Sequence, residues 1–293
     1  MNFIINLNKP IDITSQQAVT KVKRLLKIKK AGHTGTLDPL ATGILLICLG
    51  EATKISRFLL EMDKRYKARV KLGESTDTYD SRGSITERKD ISSLTEEKVE
   101  DAVRSFKGRI EQVPPMYSAI KVGGRALYSL ARKGIEIERA SREIEIYEIG
   151  ITEVDLPYFD MSITCSKGTY IRTLCDDIGN KLGTGAHLVS LERQGIGFFD
   201  IKDSLTFEEL IARDLIPDER SVYSINGALF GLDEVILKET DSIKARHGMK
   251  IMMDTTTPEL ENKPIKLKGP DGVLFAIGRV NSGIISVERN LNL

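Results

Sequence analysis

The feature that most constrains the fold is a pair of long alternating segments, residues 142–154 and 158–166, on either side of Pro157. Alternation of apolar and polar residues is typical of half-buried strands, and a turn between two such runs predicts an antiparallel hairpin. Apolar residues recur at helical spacing in residues 14–28, 94–108 and 170–183. This mixture predicts an α+β fold built on a mixed, largely antiparallel sheet with flanking helices.

The second half of the chain contains a change of pattern that predicts a domain boundary. Residues 215–230 are weakly periodic and hold a proline and several charges, and after them come short strand-like runs separated by Gly, Pro and Asp. Short strands with such turns are typical of a small β-rich domain. We therefore expect a first domain of residues 1–227 and a second of residues 228–293.

The cysteines and the apolar runs indicate the cellular compartment of the protein. Cys48, Cys165 and Cys175 are odd in number, lie in apolar surroundings and show no CxxC spacing, so they are expected to be reduced thiols in a core. This pattern favours a cytoplasmic location. The longest apolar run, residues 44–49, is too short to span a bilayer, and no membrane role is expected.

The net charge of +1 predicts no partner, but the charges are unevenly placed. Residues 20–30 hold six basic and no acidic residues, residues 64–71 hold five and none, and residues 121–133 hold four and none. Each run alone is typical of a solvated face. Together, with tyrosines and glycines nearby, the three runs favour a groove for a polyanion.

Most familiar catalytic arrangements are missing from the sequence. His33, His187 and His247 are far apart and no Cys or His pair has ligand spacing, which argues against a metal. The glycine-rich stretch 32–43 lacks the Gly-Lys-Ser/Thr ending of a phosphate loop, and no Gly-x-Ser-x-Gly elbow occurs. What remains is a carboxylate acting with aromatic residues and an arginine.

The carboxylate is Asp38, in the segment GHTGTLDPLATG. An Asp before a Pro is also a good helix start, so a structural capping role competes with a chemical one. Tyr66 on a predicted strand, and Tyr170 with Arg172 at a strand-to-helix corner, supply the other groups. Residue patterns alone thus leave open an enzyme or a binding protein, with nucleic acid as the expected partner.

Five ordered segments between residue 9 and about residue 200 carry a resemblance. They are KPIDITS, GHTGTLDPLATGILLICLGEATK, DKRYKARVKLGESTDTYDSRG, VPPMYSAIKVGGRALYSLARKG and CSKGTYIRTLCDDIGNKLGTGAHLVSLERQGIG. Together they resemble the TruB family of tRNA pseudouridine synthases, which isomerise uridine 55 in the T loop. The tail from about residue 228 is similar, more loosely, to the PUA-type RNA-binding domain of bacterial members.

The resemblance implies a role for each matching residue. Asp38 would be the catalytic nucleophile, Arg172 would pair with it, and Tyr66 would stack on the target base and serve in proton transfer. The residues implied to bind substrate are His33, Tyr66, Tyr170, Leu191 and Lys9. No metal and no organic cofactor is implied.

The same resemblance implies partners. Residues 108–141 would be an inserted arm folding over the RNA, and the PUA-like domain would reach the acceptor end of tRNA. A stand-alone monomer without guide RNA is expected, and a tRNA chaperone that acts mainly by RNA binding is the alternative. Two residues depart from the family pattern: Asp12 where glycine is usual, and Glu192 where a second basic residue is common, which leaves Arg193 alone and puts a phosphate contact there in doubt.

Overall fold

The structure is a computed structural model of the 293-residue chain. It describes residues 1–118, 120–131, 133–212, 219–253 and 258–293. The predicted boundary region between residues 215 and 230 therefore lies partly outside the described residues.

The strands of the described residues belong to one large sheet, one smaller sheet and two short hairpins. They are β1 Phe3–Lys9, β2 Ala31–Thr34, β3 Ala41–Leu49, β4 Lys64–Leu72, β5 Glu74–Thr76, β6 Ile85–Arg88, β7 Gly108–Gln112, β8 Lys121–Val122, β9 Arg125–Ala126, β10 Arg142–Asp155, β11 Tyr158–Cys165, β12 Ala186–Ile196, β13 Phe199–Asp200, β14 Val222–Ser224, β15 Glu234–Ile236, β16 Ile251–Met252, β17 Pro264–Lys268, β18 Leu274–Asn281 and β19 Ile284–Asn290.

The helices flank these sheets. They are α1 Ser15–Leu25, α2 Ser56–Glu61, α3 Glu96–Arg104, α4 Leu127–Ala131, α5 Ile171–Leu182, α6 Phe207–Ala212, α7 Ile225–Ala228 and α8 Glu239–Arg246, with 3₁₀ turns at Gly50–Ile55, Ile201–Asp203 and Pro258–Leu260. No helix in the described ranges is both long enough and apolar enough to cross a membrane.

The large sheet has the strand order β14-β1-β3-β12-β4-β11-β10-β7, with β2 paired to β3 and β13 paired to β12. Only the β3–β12 pair is parallel among its described pairings. The predicted hairpin is present, with β10 and β11 antiparallel and Asp155 opposite Tyr158. The prediction of an α+β fold on a mixed, largely antiparallel sheet is confirmed.

Strand β3 lies inside the large sheet between β1 and β12, and both of its faces are buried. Leu45, Ile47 and Leu49 contribute to a core with α1, α3 and α5 on one face of the sheet. The alternate residues, Ile44, Leu46 and Cys48, face a second core on the other side. A strand covered on both faces reads as a continuous apolar run rather than as an alternation, which is the pattern of ILLICL.

The C-terminal strands form a separate five-stranded sheet in the order β15-β17-β18-β19-β16, which confirms the predicted β-rich tail. This sheet has a small core of its own. It also contributes Leu274, Ile277 and Leu291 to the second core of the large sheet. The division into domains 1–227 and 228–293 stays a prediction, and across this boundary the two sheets share buried apolar surface.

The segment between β7 and β10 leaves the large sheet at its edge. Gln112 ends β7 and lies directly opposite Arg142, the first residue of β10. Between them lie the β8–β9 hairpin and α4. The predicted arm of residues 108–141 therefore begins within a sheet strand, and its described residues after Gln112 lie outside the large sheet.

Candidate active site

Asp38 lies in the connection between β2 and β3, strands that pair antiparallel from Ala31–Leu49 to Thr34–Leu46. The capping interpretation is wrong, because the backbone N–H of Ala41 donates to the Asp38 carbonyl and strand β3 begins there, not a helix. The Asp38 side chain is 35% exposed. A carboxylate on a loop at this exposure can meet a ligand.

The loop that carries Asp38 is held by side chains from distant parts of the chain. The Ser15 hydroxyl donates to the Leu37 carbonyl at 3.0 Å and accepts from the Leu37 N–H at 2.8 Å. Arg193, only 1% exposed, donates to the carbonyls of Ile44 at 2.8 Å and Gly35 at 3.0 Å. Buried in this way, Arg193 braces the loop and does not offer its charge to a phosphate.

Arg172, the second residue of α5, makes a two-point contact with Asp38. Its Nε lies 2.8 Å from Asp38 Oδ2 and its Nη2 lies 3.2 Å from Oδ1. Its remaining donors bond the Thr78 carbonyl at 3.0 Å and the Tyr117 carbonyl at 2.8 Å. With a side chain 4% exposed and four hydrogen bonds, the guanidinium holds the carboxylate in one orientation.

Asp80 is a second carboxylate at this site, and the sequence analysis missed it. Its Oδ2 lies 3.6 Å from Arg172 Nε, and its side chain is 8% exposed. Its Oδ1 accepts from the Thr78 hydroxyl at 2.8 Å and from the Arg82 N–H at 3.0 Å. One cation thus faces two carboxylates, of which only Asp38 is open to solvent.

Tyr66 and Leu191 lie on the central strands β4 and β12. Tyr66 is opposite Arg193 in the β4–β12 register, and Leu191 is opposite Ala68 on one side and Ala41 on the other. Both belong to the same core as Leu37, the neighbour of Asp38. Burial raises the pKa of Tyr66 above its ordinary value of 10.0, so the phenol keeps its proton at neutral pH.

His33 lies on β2 opposite Ile47 and is half-buried. Burial, with the charge of Arg193 as a second cause, lowers its pKa, so the imidazole is neutral at pH 7. Its Nδ1 is buried and has no hydrogen-bond partner within the part of the chain that the structure describes. The ring thus retains a polar atom that a ligand could satisfy.

Lys9 is fully buried, and its ammonium donates to the carbonyls of Pro10 at 2.8 Å and Ile13 at 2.9 Å. Burial lowers its pKa to about 8, and the nearby charge of Asp38 opposes this shift. The described contacts of Lys9 therefore brace the opening turn, and its predicted substrate contact stays a prediction. Asp12 in the same turn has φ of +69°, the conformation that favours glycine, so the turn keeps a glycine-like shape without glycine.

Tyr170 is the N-cap residue of α5 and directly precedes the helix that carries Arg172. Its ring lies 5.6 Å from the guanidinium carbon of Arg142. The structure thus joins Asp38 and Arg172 by direct bonds, and places Tyr66, Leu191 and His33 on the strands around them. Among the described residues, no group of three or more His, Cys, Asp or Glu side chains could hold a metal ion.

Comparison with solved structures defines the class of fold. The chain superposes on a protein in the crystal structure of a Cbf5-Nop10-Gar1 complex with a TM-score of 0.75 and 24% identity, covering 98% of this chain and 84% of that one. It also matches a chain in a structure of an H/ACA RNP bound to a substrate RNA containing 2′-deoxyuridine, with a TM-score of 0.73 and 23% identity, covering 99% and 85%. At these identities the likeness concerns the fold.

Sequence comparison then gives the family. A model described as TruB family pseudouridylate synthase (N terminal domain) matches residues 23–171, and one described as tRNA pseudouridylate synthase B C-terminal domain matches residues 172–237. The chain belongs to the TruB family of pseudouridylate synthases, which makes it an enzyme.

Relatives from several bacteria agree with this assignment. The tRNA pseudouridine synthase B of Clostridium tetani is 48% identical over 86% of this chain and 86% of its own length. The proteins of the same name from Cupriavidus metallidurans and Clostridium perfringens are each 40% identical, and they cover 99% of this chain and 94% and 99% of their own lengths. The resemblance inferred from the five ordered segments is confirmed.

Proposed function

We propose that this chain isomerises uridine 55 in the T loop of tRNA to pseudouridine, with Asp38 as the nucleophile. The observation that carries the proposal is the two-point contact from buried Arg172 to Asp38 at 2.8 and 3.2 Å, with Asp38 still 35% exposed. An arginine fixed in this way holds the carboxylate in one orientation. The Asp38 carboxylate is therefore oriented for nucleophilic attack and is exposed enough for a nucleotide to contact it.

The reaction requires no external atom. The N1–C1′ bond of uridine breaks, the base rotates, a C5–C1′ bond forms, C5 loses a proton and N1 gains one. Asp38 attacks the ribose C1′ or the uracil C6, or assists removal of the C2′ proton, and the proposal holds for each route. Because substrate and product are isomers, the reaction needs no redox cofactor, and we propose that no metal or organic cofactor takes part.

The choice of tRNA rests on the relatives. Proteins 40–48% identical to this chain over most of its length are named tRNA pseudouridine synthase B, and the second matching family model carries the same substrate in its description. The position within tRNA rests on the resemblance of the five segments, of which GHTGTLDPLATG surrounds the proposed nucleophile.

The residues around Asp38 suit a flipped base. Extruding a base costs a few kcal/mol, and stacking on an aromatic ring returns about 1–3 kcal/mol. Tyr66 would provide that ring, Leu191 an apolar wall, and His33 a neutral side chain for the space that the nucleotide leaves.

The same proposal extends to the surroundings of the site. The arm of residues 108–141 would lie over the RNA, with its cations on phosphates, and the C-terminal sheet would act as a PUA-like domain toward the acceptor end. The chain would act in the cytoplasm as a monomer without guide RNA. Three buried free cysteines support a reducing compartment.

The direct experiment is pseudouridine formation on an unmodified T-arm stem-loop, with a matched stem-loop that carries cytidine at position 55. We expect conversion of the first RNA at that one position and none elsewhere in either RNA. Binding of both RNAs without conversion would instead favour the tRNA chaperone. Conversion at another uridine would refute the assignment of position 55.

A further inference from the structure

Gln112 makes two hydrogen bonds to the start of α5, the helix that carries Arg172. The proposed reaction assigns no role to these two bonds. Its side-chain oxygen accepts from the Tyr170 N–H at 2.8 Å, and its side-chain nitrogen donates to the Tyr170 carbonyl at 3.1 Å. Gln112 is 1% exposed. Both polar ends of one buried amide are therefore satisfied by the backbone of a single residue 58 positions away.

Tyr170 depends on this contact because the start of α5 has no cap of its own. It is the N-cap residue, and its side chain makes no capping hydrogen bond. Arg172 follows two residues later and holds Asp38. A movement of Tyr170 would therefore be carried by the first turn of the helix to the guanidinium that orients the nucleophile.

The arm is fastened at the same point. Gln112, near the start of the arm, and Arg142, the residue directly after it, lie opposite each other in the β7–β10 register. Gln112 bonds the backbone of Tyr170, and the guanidinium carbon of Arg142 lies 5.6 Å from the centre of the Tyr170 ring. The residue that begins the catalytic helix is thus held by residues near the start of the arm and directly after it.

A second contact links the arm to Arg172 directly. The Tyr117 carbonyl, five residues beyond Gln112, accepts from Arg172 Nη2 at 2.8 Å. Two prolines, Pro114 and Pro115, lie between the two contacts and restrict the backbone there. The segment 112–117 therefore forms hydrogen bonds both with the backbone of Tyr170 at the start of α5 and with the guanidinium of Arg172.

We infer that Gln112 is a positioning residue: it ties the base of the arm to the N-terminus of α5 and thereby sets the orientation of Arg172 and Asp38. The inference rests on the proposed isomerisation of a tRNA uridine. Gln112 touches neither Asp38 nor, in this account, the RNA. Its effect must therefore appear in the rate of the bound complex and not in the affinity for RNA.

The test compares full-length wild type, Gln112→Leu and Gln112→Glu on the T-arm stem-loop. Leucine has a similar size and removes both hydrogen bonds to Tyr170. Glutamate keeps the oxygen that accepts from the Tyr170 N–H but loses the nitrogen that donates to the Tyr170 carbonyl. The measurements are the single-turnover rate at saturating RNA, the Kd for the RNA and the Tm of each protein. We expect the single-turnover rate of Gln112→Leu to be about tenfold or more below that of the wild type, and the rate of Gln112→Glu to lie between the two. We expect the Kd of each variant to stay within about threefold of the wild-type Kd.

A stability control separates positioning from general weakening. Ile265→Ala opens a cavity in the C-terminal sheet, where Ile265 is fully buried and far in sequence from the arm. We expect it to lower Tm while the single-turnover rate stays close to that of the wild type.

Three results would overturn the inference: an unchanged rate in Gln112→Leu, a loss confined to Kd, or an equal loss of rate in Ile265→Ala at the same loss of Tm. If the wild type itself converted no uridine, the proposed function would fail first and this inference with it. Conversion by the wild type with normal Gln112→Leu would reject the inference alone.

Discussion

At the scale of single residues, the site holds Asp38 in one orientation and leaves its side chain 35% exposed. Arg172 supplies the charge and the orientation, and it is itself held by two carbonyls. Asp80, 3.6 Å away and buried, balances part of that charge without meeting solvent. The two carboxylates therefore differ in exposure: Asp38 is open to solvent, as the proposed nucleophile must be, and Asp80 is buried beside the cation.

Tyr66 gives a prediction that separates its ring from its hydroxyl. Because burial raises its pKa above 10.0, the phenol is protonated at neutral pH and can donate a proton. Tyr66→Phe keeps the stacking ring, so we expect unchanged RNA affinity and a rate lower by about 10²-fold or more, the usual scale of acid–base catalysis. Kd and the single-turnover rate on the same RNA check this, with Tyr66→Leu as the control that also loses stacking. An undiminished rate in the phenylalanine variant would limit Tyr66 to stacking.

At the scale of elements, β3 and β12 must approach closely beside the catalytic loop. Gly43 lies opposite Arg193 in this parallel pair and has φ of +95°. A Cβ there would lie 2.3 Å from the Arg193 carbonyl oxygen. The glycine is therefore required by the contact that also positions the loop-bracing arginine.

This contact predicts a large difference between two glycines of one motif. We expect Gly43→Ala to lower the free energy of unfolding by more than about 2 kcal/mol, through backbone strain and separation of the strands. Gly32→Ala is the matched control, because nothing lies within 4 Å of its Cβ position, and we expect a change within about 1 kcal/mol. Denaturant unfolding of both variants measures the difference. Equal losses of unfolding free energy in the two variants would mean that the close approach of β3 and β12 does not explain the need for Gly43.

Helix α5 gives a prediction about pH. Burial, assisted by the charge of Asp176, raises the pKa of Asp177 from its ordinary value of 3.8 to about 6. Between these two values the folded protein holds a proton that the unfolded chain has lost, so this group lowers stability as pH rises toward 6. The cost is complete above pH 6 and absent below about pH 4.

Asp177→Asn removes that cost. We expect the variant to be more stable than wild type at pH 7 by about 1–2 kcal/mol, a figure reduced from the full shift to allow for solvent screening. At pH 4 the gain should shrink toward zero. Unfolding curves at both pH values test this, with exposed Asp101→Asn on α3 as the control. A gain that is equal at both pH values would contradict the assignment.

At the scale of the whole molecule, the local sequence pattern predicted the helices and strands better than the long-range contacts between them. The β10–β11 hairpin could be predicted because its strands are adjacent and alternate. The parallel pairing of β3 with β12 joins residues about 150 positions apart, and no local period encodes it. Arg172 and Asp38, 134 positions apart, were paired by family resemblance and not by spacing.

The misses in the candidate site have physical causes. Asp80 lies in residues 72–101, which hold nine acidic and four basic residues, a pattern typical of a solvated surface, yet it is buried beside Arg172, which also bonds the Thr78 carbonyl. The burial of Lys9 could likewise not be predicted from residue type, since lysine is usually exposed and here its long side chain runs inward to two carbonyls. The polarity of a residue type predicts exposure, and exceptions arise where a distant segment supplies the hydrogen bonds.

The most direct measurement compares wild type with Asp38→Asn for pseudouridine formation and for binding of the T-arm stem-loop. Asparagine keeps the size of the side chain but cannot act as the anionic nucleophile. The account predicts that the wild type converts the loop uridine, and that the variant binds the same RNA within about threefold and converts none. Conversion by the variant would contradict the central role of Asp38.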